Sequence, residues 1–465
     1  MKKILRLKKI FLFYVLSTLV YTNISSQTIA CDDESCARIC NDSTVMTWGS
    51  NDFGELGDGT TVKKSLPVAV SGLDHVKAIS GGSDYFLALK SNGTVYGWGE
   101  NIYGELGDGS GMNRYTPEHI TSLTNIIAIS AAGANMMVLK SDSTVWTSGW
   151  NYYGALGNGN KIDSYVPVEV LGLTGVIAIS GGGYHCLALR RDSTVWAWGG
   201  NFAGQIGDGT MIDRDTAKKV PGLTGIVKIA AGGEHSLALK NDGTVYAWGH
   251  NGYGQVGDST ITWRSSPVHL NGISGITDIA GGFDHSLALK NDSTVWAWGS
   301  NSNGSFGDGG SADRWYPVHV HILTKIVAVA GSGLMHSIAL RKDGSVWSWG
   351  YNTEGEAGNG SIKTTGCKCD SLAAPVLNLC SSTAGIADLK KEHLIKIEPN
   401  PFSDETRITI DNERAGLITV VDLLGNVVKN MSFTGDEIIL KQDDLKPGIY
   451  ILKINSLPSE KLVIQ

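Results

Sequence analysis

Residues 98–109 read WGENIYGELGDG, and the pattern returns as WGGNFAGQIGDG at 198–209, WGHNGYGQVGDS at 248–259 and WGSNSNGSFGDG at 298–309. The Trp-Gly position recurs at Trp48, Trp98, Trp198, Trp248, Trp298 and Trp349, with Ser148 as the one departure. A second signal keeps step with it: LPVAV, TPEHI, VPVEV, TAKKV, SPVHL, YPVHV and APVLN. Self-similarity at a period of twenty to fifty residues marks a solenoid, a propeller or an array.

Each unit reads as four short strands. Around residue 285 these are ITDIA, SLALK, TVWAWG and a proline-valine segment, bounded by Gly, Asn and Asp. KSNGT, KNDGT and RKDGS place Asn-Gly or Asp-Gly between strands, as tight hairpins require. In VWAW, Val295 and Ala297 face one side while Trp296 and Trp298 face the other. A sheet apolar on both faces must be covered on both, which radial packing of blades achieves. The expected fold is therefore all-β: a seven-bladed β-propeller, then a small C-terminal β-sandwich. A straight stack would need polar caps at its ends, and none is evident. The first unit starts at its second strand and the last ends on an outer strand, so one blade is expected to be shared between the chain ends as a clasp.

The recurring GG..HSLALK, DGTVYAWG, N..GQ.G.G and PV.V resemble the regulator of chromosome condensation repeat over roughly residues 30–380. That resemblance implies a seven-bladed propeller. The family's best-known activity, nucleotide exchange on a nuclear GTPase, does not suit an exported chain. The tail carries PNPF, L..G.Y.L.I and a terminal EKLVIQ, and resembles the C-terminal sorting domain of the type IX secretion system. It implies passage through the periplasm and across the outer membrane, by way of that system's machinery, to a secreted or surface-attached form. The domain boundaries that follow are 1–26 signal peptide, 27–380 propeller, 381–392 linker and 393–465 sorting domain.

The signal peptide rests on MKKILRLKKI, basic, followed by the apolar FLFYVLSTLV and polar TNISSQ. That apolar run is too short for a comfortable membrane span, and no other stretch looks transmembrane, so no span is expected in the mature form. A net charge of −7, with no basic tract beyond the N-terminus, argues against a nucleic-acid partner. Seven cysteines travel an oxidising route. Cys31, Cys36, Cys40, Cys367, Cys369 and Cys380 fall at the two ends of the propeller and are expected to form disulfides that pin it shut. Their pairing stays open. Cys186 replaces a strand serine and reads as a buried free thiol. A zinc site at Cys367 and Cys369 is disfavoured by the spacing.

Several repeated residues invite a chemical role. His185, His235, His285 and His336 share one position and are expected to bond the backbone of their own blade rather than a metal. Asp58, Asp108, Asp208 and Asp308 read as turn formers, since calcium wants six to eight oxygens. Lys64, Arg114, Arg214, Arg264 and Arg314 read as within-blade salt bridges. The hairpin directions put the GG..H and WG.N..G loops on one face of the disc. Phe53, Tyr85, Tyr103, Trp150, Tyr152, Tyr153, Tyr184, Phe202, Tyr253 and Phe283 are the candidate ligand-binding rings there, with Tyr351 beside them. Asp84, Glu100, Glu105, Glu234, Asp284 and Glu354 lie among them. Such a mixture suits an extracellular protein or polysaccharide ligand. There is no Gly-x-Ser-x-Gly elbow, phosphate loop or His-Glu-x-x-His, so no catalytic residue, metal or cofactor is expected. The alternative is a carbohydrate-active enzyme using loop carboxylates. Secreted β-lactamase inhibitor propellers, which grip an enzyme with aromatic loops on one face, offer a fold-level analogy.

Overall fold

The computed structural model describes residues 28–333, 335–365 and 368–380, then 395–398, 405–410, 415–421, 427–434, 437–441, 445–454 and 460–464. The expected signal peptide and linker lie outside these residues. The chain divides into two compact units, Met1–Ser381 and Ser382–Gln465.

The first unit holds seven four-stranded antiparallel sheets, each made of strands consecutive in sequence. Blade 6 runs Ile276–Gly281, His285–Lys290, Val295–Gly299 and Arg314–His319, from the axis outward. Its hairpin turn shows how the sequence writes the element. Asp292 Oδ1 accepts the Thr294 N–H at 3.1 Å and its hydroxyl at 2.5 Å, and Ser293 takes a φ of 65°. In blades that carry Asp-Gly or Asn-Gly, glycine fills that left-handed position, as at Gly243. The alternation in VWAW is realised: Val295 and Ala297 pack in one core cluster and Trp298 in the next. The core is thus a series of apolar layers between blades. Among the described residues no helix is long and apolar enough to cross a membrane.

No blade is shared, which corrects the expected clasp. Blade 1 has its own inner strand, Ile29–Cys31, paired with Ser35–Ile39 through Ile29 opposite Arg38 and Cys31 opposite Cys36. Blade 7 ends with its own outer strand, Cys369–Pro375, against Val346–Tyr351. The inner strand of blade 1 is only three residues long and lacks the Gly-Gly that ends most of its counterparts, so its pattern hides it. The ring closes by a contact found at other blade boundaries too. The last corner donates Gly360 N–H to Ser65 O at 2.8 Å, and Trp48 Nε1 donates to Glu356 O at 2.9 Å. Lys63 and Glu354 pair at 2.8 Å. A Cys40–Cys380 disulfide spans a sequence separation of 340, on the side opposite the loop face.

The second unit is also all-β. A three-stranded sheet (Ile395–Glu398, Glu405–Ile410, Glu437–Lys441) and a four-stranded sheet (Val427–Thr434, Ala415–Val421, Gly448–Ile454, Glu460–Ile464) share one core. Ile408 and Leu440 of the first meet Ile418, Val420 and Leu452 of the second.

Candidate binding face

The corner that opens each repeat is built by its invariant letters. Asn201 is fully buried; its Oδ1 accepts the Ile206 N–H at 2.9 Å, and its Nδ2 donates to Thr210 O and Ile212 O at 3.1 Å. The equivalent asparagines of the other six corners are buried too, and the Oδ1 of each accepts the backbone N–H five residues on, so each side chain satisfies loop backbone that water cannot reach. Trp248 Nε1 donates to Gln205 O of the preceding blade at 2.8 Å. Gly207 between them has a φ of +76°, and a Cβ there would sit 2.6 Å from that indole nitrogen. At the departing position Ser148 offers no such bond, and its buried hydroxyl has no partner among the described residues.

The histidines are structural, but they stitch blade to blade. His185 Nε2 meets Ser236 Oγ at 2.8 Å, His235 meets Ser286 at 2.8 Å and His285 meets Ser337 at 2.7 Å. His336 Nε2 reaches Cys36 Sγ of blade 1 at 3.0 Å. This corrects the expected bond to backbone of the same blade. The rings of His185, His235 and His285 lie over Gly182, Gly232 and Gly282, where any Cβ would collide with them, while His336 has Ser332 at that position and meets its hydroxyl through Nδ1 at 2.8 Å. Burial lowers His185, His235 and His285 to about 3, which keeps them neutral above that pH.

Three of the five repeated cations form ion pairs within their own units. Arg114, Arg214 and Arg264 hold Asp108, Asp208 and Asp258, each at 2.5 Å. Where Ser164 replaces the arginine, Asn158 replaces the aspartate. Arg314 instead donates to the carbonyls of Ala312 and Asp313. Cys31 pairs with Cys36, and Cys369 is disulfide-bonded as well, while Cys367 lies outside the described residues. Cys186 is a free buried thiol, pushed up to about 12 by burial.

Six rings form one aromatic shelf across blades 2, 3 and 4. Trp150 has Tyr103 at 6.3 Å, Tyr152 at 6.0 Å, Tyr153 at 5.4 Å and Tyr184 at 6.2 Å between ring centroids. Tyr153 and Tyr184 reach Phe202 at 5.8 and 5.6 Å. Tyr152 is 63% exposed, and Tyr103 and Phe202 are exposed as well. Beside the shelf, on the axis, opens a funnel of about 270 Å³ lined by Asp33, Ser83, Trp150, Tyr184 and Phe283 among the glycines of the inner loops. Asp33 is the acid of its lining, and Asp84 lies near enough for its charge to act on it. Burial, then the charge of Asp84, raises Asp33 to about 7; burial, then Glu100, raises Asp84 to about 6.

Residues 42–89, 92–139 and 142–189 match the regulator of chromosome condensation (RCC1) repeat, as do 76–105, and residues 167–386 match the RCC1-like domain. The chain belongs to the RCC1 repeat family. Residues 396–465 match the secretion system C-terminal sorting domain, which marks this RCC1-type propeller for secretion or display on the outer surface through the type IX machinery. Among solved structures, human WBSCR16 is 22% identical with a TM-score of 0.61, covering 68% of this chain and 86% of that one. Prp20p from Saccharomyces cerevisiae is 21% identical with a TM-score of 0.64, covering 81% and 91%. These two likenesses speak to the fold.

On this RCC1-type propeller the candidate rings do not all reach the surface. Tyr85 is 0% exposed: it stands in the histidine position of blade 2, and its hydroxyl donates to Asn135 O of blade 3. Phe53, Phe283 and Tyr351 are half-buried. Tyr253 is exposed but stands apart from the shelf, near His250 at 6.1 Å. Two of the acids are also inside. Glu105 accepts the Tyr103 N–H at 3.0 Å, and Asp284 accepts from Gln255 Nε2 at 3.0 Å. Sequence reasoning passed over Asp33, hidden in CDDESC between cysteines that drew the attention. It also passed over Trp263, exposed beside His250 at 4.9 Å; the signal available was an aromatic next to the repeat's arginine position.

Proposed function

We propose that the exported propeller is a binding module whose loop face takes an extracellular protein or polysaccharide ligand. The observation behind this is the contiguous aromatic shelf centred on Trp150. Six rings in mutual contact with exposed members on one sector of a disc give a preformed apolar platform with a polar surround. Rings held by their neighbours lose little freedom when a ligand arrives.

A second reading, a carbohydrate-active enzyme, has one observation in its favour. Asp33 in the funnel lining is raised to about 7 and its neighbour Asp84 to about 6, so the pair exchanges a proton close to neutral pH, as a general acid does. The test is to screen the secreted protein against surface polysaccharides and extracellular proteins while monitoring for product. Saturable binding without turnover, weakened by about tenfold or more in Trp150→Ala/Tyr152→Ala with the fold intact, supports the module. Turnover abolished by Asp84→Asn would replace it with the enzyme.

A further inference from the structure

The inner rim of the loop face is acidic on one side and carries almost no compensating cation. The residues preceding the histidine position are Glu34, Asp84, Ala134, Tyr184, Glu234, Asp284 and Met335. Those opening each corner are Ser50, Glu100, Trp150, Gly200, His250, Ser300 and Tyr351. Neither set contains a lysine or arginine. The corner aspartates of blades 2, 4 and 5 each hold an arginine, but Asp33, Asp84 and Glu100 have no ion pair among the described residues. Burial and the charge of a neighbouring acid raise Asp33 and Asp84, and burial raises Glu100.

A buried layer beneath them points the same way. In blade 5, Gln255 Nε2 donates to Asp284 on the next blade. Blades 1 and 7 carry Glu55 and Glu356 at that position, near enough to Asp84 and Glu34, respectively, to feel their charge. Each is 0–1% exposed, and each leaves Oε1 with no hydrogen-bond partner among the described residues. An oxygen thus stands where blade 5 supplies an N–H. Burial foremost, with Asp84 adding its charge, raises Glu55 to about 8. The acidic side of the rim is short of donors and of positive charge.

We propose, resting on the binding-module reading, that the ligand is a cationic polypeptide segment whose basic side chains enter the acidic rim at Asp33, Asp84 and Glu100 while its apolar groups lie on the Trp150 shelf. Asp33, Trp150 and Tyr184 line one funnel, so a side chain entering it meets carboxylate and ring faces together. Lysine and arginine suit both, through charge and through cation–π contact. The chain already seats Lys140 over Trp146 at 3.9 Å on its outer side. A neutral glycan offers these acids no cation, and an anionic one is repelled by those that are ionised. A bare divalent ion lacks a cage: among the described residues the only group close enough to hold a metal is Cys31, Cys36 and His336, and its two cysteines are joined to each other.

The experiment is calorimetric titration of the full secreted protein at neutral pH with an alternating Lys-Trp octapeptide, an alternating Glu-Trp octapeptide and a neutral oligosaccharide. The Lys-Trp peptide should bind alone, weaken about tenfold or more as salt rises from about 50 to 300 mM, and release protons, seen as a heat that depends on the buffer. Asp33→Asn/Glu100→Gln should weaken it about tenfold without lowering the melting temperature, and Asp84→Asn, which tolerates the φ of 59° at that residue, should do likewise. Equal binding of the Glu-Trp peptide, or Lys-Trp binding indifferent to these variants, overturns the inference. Glycan binding lost in Trp150→Ala but untouched by Asp33→Asn/Glu100→Gln overturns it and spares the binding module. Silence from all three probes together with the wider panel overturns both.

Discussion

Blades 4–7 and blades 1–3 meet the same packing demand with different chemistry. In the first group a buried histidine of one blade bonds a hydroxyl or sulfur of the next, from His185 round to Cys36. In the second the same positions hold Ser35, Tyr85 and Asn135, facing neighbours that carry Phe86, Met136 and Cys186. A histidine occurs only where its neighbour can bond it. Three of the four pairs are histidine with serine, and no serine stands opposite Ser35, Tyr85 or Asn135. The irregular blades also carry most of the unpaired acids and much of the aromatic shelf. Regularity builds the ring, and departures from it build the face.

The comparison can be broken hardest at the seam between the two groups. Replacing Cys40 and Cys380 with serine removes the link over the longest loop in the fold. The expected loss is about 6 kcal/mol in the chain-entropy model, read as a lower urea midpoint without reductant. A negligible loss would mean that the corner contacts at Ser65 and Trp48 close the ring unaided. The next largest effect lies within the regular blades. His235→Ala should cost about 2–4 kcal/mol. Adding Ser286→Ala should cost less than its own single change, because the pair acts as a unit. Tyr85→Phe, the counterpart in blade 2, should cost only about 1–1.5 kcal/mol, since the ring keeps its packing.

The smallest effect is also the sharpest test, because the two groups respond to pH with opposite sign. His185, His235 and His285 have folded values of about 3 against an ordinary 6.5. The stability they contribute is lost as pH falls from 6.5 toward 3. Glu55 has a folded value of about 8 against 4.5, so its contribution is present in acid and lost as pH rises from 4.5 through 8. Glu55→Gln, which copies Gln205 and Gln255, should raise the melting temperature at pH 8 by about 1–3 °C and change it less at pH 5. An equal change at both pH values would show that the carboxyl does not titrate in this window.

Much of this was legible in the sequence because a repeat states its fold many times over. One unit could be misread and six others would correct it; the blade count, the four-strand unit and the loop face followed from that redundancy. The inner strand of blade 1 was missed where redundancy failed: Ile29–Cys31 is short and runs straight into CDDESC. The partners of the histidines were missed for another reason. His235 and Ser286 are 51 residues apart, and a periodic text shows what recurs without showing which copies touch. The shelf was mostly legible as loop aromatics, but Tyr85 carries the same letter as Tyr184 and serves the interior.

The disulfide at the seam also changes what damage can do to an exported protein. From Cys40 to Cys380 the main chain and one sulfur–sulfur bond form a covalent circle that contains nearly the whole propeller. Exposed loop tips are where proteases cut first. A single cut anywhere on that circle opens it but frees no fragment, and the nicked product keeps all seven blades on one connected molecule. Two cuts are needed before a blade can leave.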